Sequence, residues 1–564
     1  MRPESSAAGA PDRRTLWGEA CAITALALLV RLFNLDHTTY VDELNHLIAA
    51  ESLLRDGALL LESGFEYTRA RLFTWLVAGS FLLFGESLPA ARAPAVAGGT
   101  LLVTVAFLWV RTSFGRWEGW TAGILLLLAP QAIYHSQLAR FYSFQALFVV
   151  AAAWCAWVLA GRPRWRAREG GVALLGLACA AGAMAMQISS LVGLGAIGGW
   201  LVVLLLVRIA REQSPVGSPR TVGVAMGVLI LAAGTWLFLS GTWHEATAAF
   251  GQVGLWAESQ EGNLRYYHYH LLSHYPLLWA PFPAMALWAL HRRPRLISLW
   301  LAVFGTILVV HSIAGWKADR YIFYALPFFF MVSGVVVGSI LRRLFVELRQ
   351  ASARVPGVLR TRAGGPLAAG LIVLSILFAA WGNPAFSYSG RMILGTDATW
   401  PFPVLYRGEA DWRAVDQALR ERSEASELLI TSTEQKARYF LGRGEVILSA
   451  NYLGRDSEGR PNPEFHPNNK TGLPVISRPE TVEGVIDCHR SGLLLIEDNH
   501  WRREWSVPDD VADRIEALTR RMPLDSGWRI HGFEWDHGVD FEPTDPECHP
   551  FREPVPSPSM HSPF

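Results

Sequence analysis

The sequence predicts a polytopic α-helical membrane protein of about eleven transmembrane helices, with a C-terminal extramembrane α/β domain. Three observations predict the membrane part and its soluble extension. Of 564 residues, 51% are hydrophobic and 18% charged, against about 25% charged in an average soluble domain. The apolar residues gather into long runs such as 16–35 and 191–207, and the mean hydropathy is +0.23. In lipid such runs are helices, because each backbone N–H and C=O must find its partner inside the segment. Beyond Trp381 the composition turns soluble, and short aliphatic runs alternate with amphipathic ones.

Arginine sets the topology. The net charge is only +1, but arginines cluster at 13–14, 111–116, 162–168, 208–220, 292–295 and 342–362. Take the N-terminus as cytoplasmic, with helices near 16–35, 89–110, 119–138, 145–161, 171–187, 189–208, 221–241, 276–290, 296–314, 321–341 and 366–381. Every cluster then falls inside, as the positive-inside rule requires. The first run is too long for a signal-peptide core and lacks a small-residue cleavage site, so it reads as a retained helix. Counting 71–84 as a span would put every later cluster outside, so it reads as an interfacial or re-entrant helix at the outer surface. The first outer loop covers 36–88, and a second, near 242–275, is rich in Trp, Tyr and His, as aromatic belts are.

The chain divides into 1–381, the transmembrane domain, and 382–564, a soluble α/β domain on the outer face with a disordered tail. Strands are expected at 428–431, 446–449, 493–496 and 528–533, and helices at 411–422, 434–441 and 510–521. Residues 455–480, dense in Pro, Asn, Gly and Arg, read as a loop. The five cysteines have no metal-ligand spacing. Cys21, Cys155 and Cys179 read as small buried hydrophobes. Cys488 and Cys548 can pair if their region faces an oxidising compartment.

Three clusters on the outer side carry chemistry. Asp42-Glu43 follows the first helix and opens an amphipathic stretch, and a general base needs a carboxylate held within reach of an acceptor hydroxyl. Arg140 with Tyr142 stands at the outer end of the third helix, where an arginine is either a snorkelling anchor or a ligand. Lys317, Arg320 and Tyr321 lie between two helices on the cation-poor side, where a lipid phosphate is the natural counter-charge. The set can deprotonate an acceptor and neutralise a phosphate leaving group at one membrane surface.

Asp42-Glu43, the run Ser-x-x-Ala-Arg-Phe-Tyr from Ser136 to Tyr142, and Lys317-x-x-Arg320-Tyr321 with Pro327 beyond it occur in a telling order and sidedness. Over residues 16–345 the chain resembles the GT-C membrane glycosyltransferases, among them the protein O-mannosyltransferases and the bacterial lipid A aminoarabinose transferases. The resemblance implies inverting transfer of a sugar from a polyprenyl-phosphate or dolichyl-phosphate donor to a protein, lipid or glycan acceptor on the outer, periplasmic face. Asp42 would be the catalytic carboxylate and Glu43 its neighbour. Arg140 and Tyr142 would lie near the donor, and Lys317 and Arg320, with Tyr321 beside them, would clamp the phosphate. Some members carry a second aspartate near 140–143; none stands here, so use of a divalent metal and the acceptor type stay open. The excess of Arg, Ala and Gly over Lys fits a GC-rich bacterium, with the protein in its inner membrane. A ligase or polymerase acting on lipid-linked glycans would gather its cations in one late outer loop. A transporter or flippase would place charges deep in its helices or break them at matching positions of two repeats. Neither pattern is visible, and no nucleic-acid partner is indicated.

Overall fold

The computed structural model describes residues 12–36, 39–161, 167–210, 263–315, 317–353, 382–394, 410–454 and 460–538, with single positions at 235, 239, 370, 541 and 548. The helices of the first part are α1 (Arg13–Leu32), α2 (Val41–Asp56), α3 (Arg71–Phe84), α4 (Leu88–Ser113), α5 (Arg116–Leu127), α6 (Pro130–Tyr134), α7 (Tyr142–Ala160), α8 (Ala167–Met186) and α9 (Ser190–Ala210). Then come α10 (Tyr266–His274), α11 (Pro276–Trp279), α12 (Phe282–Arg292), α13 (Pro294–Ile313), α14 (Leu326–Ala353) and α15 (Pro384–Leu394). The chain forms two compact units: Met1–Leu35, Arg69–Leu76 and Arg92–Asp397 make one, and Asp36–Thr68, Val77–Ala91 and Ala398–Phe564 the other.

Among the described residues, seven helices are long and apolar enough to cross a membrane: α1, α4, α7, α8, α9, α13 and α14. The expected spans at 221–241 and 366–381 fall outside the described residues except for the single positions 235, 239 and 370. The expected span 119–138 is two pieces, α5 and α6, because Pro130 has no N–H to continue the ladder and instead starts a new helix. Residues 276–290 are broken in the same way into α11 and α12, each with a proline in its first turn. Helix α3 has 14 residues, short of the roughly 20 a span needs. Leu174, Leu175 and Leu177 of α8 and Leu82, Leu83 and Phe84 of α3 are exposed, as side chains turned to hydrocarbon are.

In the first unit, buried Glu19 of α1 pairs with Arg111 and Arg116 at 2.6 Å each. Buried Glu118 of α5 accepts from Ser339 at 2.9 Å and meets Arg342 at 3.5 Å. These contacts gather arginines of two sequence clusters, 111–116 and 342–362, at one end of the bundle. Helix α14 lies against α5 through Gly334 and Gly338, where a Cβ would collide with the backbone of Ala122 and Glu118. This is close packing through small residues four apart.

In the second unit the sheet comprises β1 (Leu428–Thr431), β2 (Val446–Leu448), β3 (His466–Pro467), β4 (Pro474–Ile476), β5 (Ser491–Glu497), β6 (Arg520–Arg521) and β7 (Ile530–Asp536), in the order β3-β4-β2-β1-β5-β7-β6. β4, β2, β1 and β5 run parallel, and the other pairings are antiparallel. Its helices are α16 (Trp412–Ala425), α17 (Glu434–Leu441), α18 (Ala450–Leu453), α19 (Pro479–Asp487) and α20 (Asp509–Leu518). Leu494 and Ile496 enter one core, Leu493 and Leu495 the other. A strand buried on both faces reads as an unbroken apolar run. Two expectations shift: the helix at 510–521 ends at Leu518 and yields to β6, and the stretch 455–480 contains β3 and β4. Cys488 and Cys548 form a disulfide; Cys155 and Cys179 are buried, whereas Cys21 is exposed on α1.

Candidate functional site

Within the second unit, Asp42 and Glu43 occupy the first turn of α2. The backbone N–H of Tyr40 donates to Glu43 Oε1 at 2.9 Å, the return half of a capping box. Glu43 is buried and closes the helix start. Asp42 is half-buried and stands where the positive end of the helix macrodipole favours an anion. Burial and then the charges of Glu434, Asp42, Glu497 and the nearby Tyr40 raise the phenol of Tyr452 well above its ordinary value, so Tyr452 stays a neutral hydroxyl beside the Asp42 turn. His46, one turn further along α2, stacks edge-on with Tyr67 at 5.0 Å.

Within the first unit, the loop 135–141 is tied to the exit of α1. Arg31 Nε donates to Ser136 Oγ at 3.1 Å, and Gln137 Nε2 donates to the carbonyl of Phe33 at 2.6 Å. This tether holds Arg140, which is buried, donates to the Tyr142 hydroxyl at 3.2 Å and lies over the rings of Phe141 and Tyr142. His135 packs on Tyr142 and Phe323, and its Nε2 stands 3.8 Å from Asp319 Oδ2. The positive charges of Arg320 and Arg140 both bear on His135. Arg320 lies over the ring of Tyr321 at 5.2 Å, while its own N–H donates to Asp319 Oδ1 at 2.7 Å. Tyr267 ties the same loop down by donating to the carbonyl of Ala318 at 3.0 Å.

Lys317 is placed differently. Its ammonium donates to the carbonyls of Ser312 (2.8 Å), His311 (3.3 Å) and Ala314, so it caps the C-terminal end of α13, where carbonyls lack helical partners. Burial lowers its pKa.

The first unit thus brings the loop of Arg140 and Tyr142 and the loop of Asp319, Arg320 and Tyr321 together at His135, and the second holds Asp42 and Glu43 on one helical turn. Sequence reasoning passed over His135, Asp319, Tyr267 and Tyr452. Asp319 sits inside the Lys317–Tyr321 motif, and His135 immediately precedes the Ser136–Tyr142 element, so both were within reach of a reading that weighed every polar residue there. Among the described residues, no three His, Cys, Asp or Glu side chains come together as a metal site.

No family model matches the chain, and no curated protein does. Solved structures do. ArnT from Cupriavidus metallidurans in the apo state superposes with a TM-score of 0.54 at 16% identity, covering 93% of this chain and 98% of that one. The same protein bound to undecaprenyl phosphate gives 0.53 with the same identity and coverage. The archaeal oligosaccharyltransferase AglB from Archaeoglobus fulgidus, in complex with an inhibitory peptide and a dolichol-phosphate, gives 0.53 at 12% identity, covering 83% of this chain and 70% of that one. The chain therefore has the fold of the GT-C membrane glycosyltransferases.

Proposed function

We propose that this protein transfers a sugar from a polyprenyl-phosphate donor to an acceptor at the outer face of a bacterial inner membrane, with inversion at the anomeric carbon. The observation that carries this reading is the meeting of the Arg140 loop and the Arg320 loop, far apart in sequence, at His135, which packs on Tyr142 and Phe323 and stands 3.8 Å from Asp319 Oδ2. Guanidiniums in loops expected on the cation-poor side of the membrane suit a lipid phosphate, whose oxygens accept charge-assisted hydrogen bonds at a membrane surface. The fold shared with ArnT bound to undecaprenyl phosphate and with AglB bound to dolichol-phosphate supports the same donor class. The Cys488–Cys548 disulfide supports an oxidising compartment for the α/β domain.

In this reaction the acceptor oxygen attacks the anomeric carbon, and the bond from that carbon to the phosphate oxygen breaks. The acceptor proton passes to Asp42, and the lipid phosphate leaves with the bonding pair. Arg320 and Arg140 hold the phosphate as its charge grows, which stabilises the transition state more than the ground state. Tyr142 and Tyr321 orient those guanidiniums, and Lys317 adds charge while holding the loop. Glu43 keeps the first turn of α2 closed, so Asp42 is the base and Glu43 secondary. Asp42→Asn removes basicity and keeps shape; it should lower kcat about 10²- to 10⁴-fold while the donor still binds. Glu43→Gln should be milder. Turnover by purified protein with a polyprenyl-phosphate sugar checks both, and near-wild-type kcat for Asp42→Asn would remove the base assignment.

A further inference from the structure

In an open α/β sheet, ligands bind outside the carboxyl ends of the strands, where the order of connections reverses. In the order β4-β2-β1-β5 that place lies between β1 and β5. The carboxyl end of β1 runs into Thr433, Glu434 and Gln435 at the start of α17, and β5 ends at Glu497. The floor is fixed: buried Lys436 and Glu497 pair at 3.0 Å, and Thr433 donates to the same carboxylate at 3.0 Å. What packs at this edge is the chain's own α2. Gln435 Nε2 donates to Asn45 Oδ1 at 2.9 Å, both side chains being buried. Flanking contacts bring the neighbouring segments to the same domain: Arg438 pairs with Glu62 at 2.8 Å, and Arg413 grips Asp36 with two bonds of 2.6 and 2.7 Å.

Asn45 lies three residues beyond Asp42, on the same side of α2 and one turn further on. We propose that Gln435 is a positioning residue: through Asn45 it fixes the rotation of α2 and hence the direction of the Asp42 carboxylate. The place where such a sheet takes a ligand is here given to the helix that carries the base. The flanking ion pairs are at least partly exposed and individually weak, whereas the amide pair is buried and directional. A displacement of about 1 Å in a reacting group costs on the order of 10²-fold in rate. The proposal rests on Asp42 being the base.

The test uses the full-length protein in detergent, with kcat, KM for donor and acceptor, and thermal midpoint measured for each variant. Gln435→Ala should lower kcat about 10- to 100-fold with donor KM within about twofold, and Gln435→Met, which keeps the volume, should do the same if the alanine variant does not fold. The reciprocal exchange Asn45→Gln with Gln435→Asn restores the combined length of the pair and should recover most of the lost kcat. Wild-type kcat in the single variants overturns the proposal, and so does a loss of kcat that the exchange fails to rescue. Asp42→Asn is measured alongside. If it retains turnover, the base assignment falls and the positioning role with it. If it is inactive while the Gln435 variants turn over normally, the positioning role alone falls.

Discussion

Lys317 and Arg320 look equivalent in the sequence and are not equivalent in the structure. The Lys317 ammonium is spent on the last carbonyls of α13, whereas the Arg320 guanidinium lies over Tyr321 and bears on His135. Arg320→Ala should therefore cost about 1.5–3 kcal/mol of donor interaction, part of it in turnover, with little change in thermal stability. Lys317→Ala should lower the thermal midpoint as well, since it exposes a helix end. Paired kinetic and melting measurements distinguish the two; equal melting losses would refute the distinction. The cations stand out in the sequence because they break the charge bias expected of outer loops. The capping role of Lys317 does not, because it depends on which carbonyls the folded loop presents. Glu434 carries a second prediction. Burial, opposed by Lys470, pushes its carboxyl up to about 7. The folded chain then holds a proton that the unfolded chain has released, so this stability is complete below about 4.5 and lost as pH rises through 7. Glu434→Gln should melt higher than wild type at pH 8 by an amount on the order of 3 kcal/mol, and should match it near pH 4. Parallel melting curves across that range would refute this.

Elements were legible where the local signal and the tertiary outcome agree. Helix α17 has the bounds 434–441 that the sequence gives it, because Gly442 takes up a φ of 75° and ends it. The strand at 428–431 and the apolar run inside β5 are likewise as expected, since burial on both faces needs no alternation. β3 and β4 were missed because strands of two and three residues carry no period, and β4 exists through its pairing with β2. The break between α5 and α6 was written in Pro130, but hydropathy counts alone run through it. The GVVVG run at 334–338 was also available and unused. Its consequence is sharp: Gly334→Val or Gly338→Val should part α14 from α5, costing about 1–3 kcal/mol or more. Thermal melting in detergent reads it out, and unchanged midpoints would mean that the helices adjust at no cost.

At the scale of the whole molecule, composition alone separated a part rich in apolar helices from a C-terminal region with strands, because lipid permits so few backbone solutions. It did not reveal that 36–68 folds into one unit with 398–564, since hydropathy follows the chain and not its contacts. The sidedness scheme predicts that, in spheroplasts of a strain lacking Cys21, Cys155 and Cys179, a cysteine at exposed Glu480 reacts with a membrane-impermeant maleimide and one at exposed Arg295 does not. Labelling at Arg295 would invert the scheme. The bond between Asn45 and Gln435 spans 390 residues, and this separation governs timing during biosynthesis. At about 5–20 residues per second, the ribosome needs roughly 20–80 s after making Asn45 to supply its partner. Throughout that interval the segment that carries Asp42 has no seat, so a nascent chain stalled before α17 would be inserted yet inactive. Competence should arrive abruptly, when the last-made domain closes on the first-made loop.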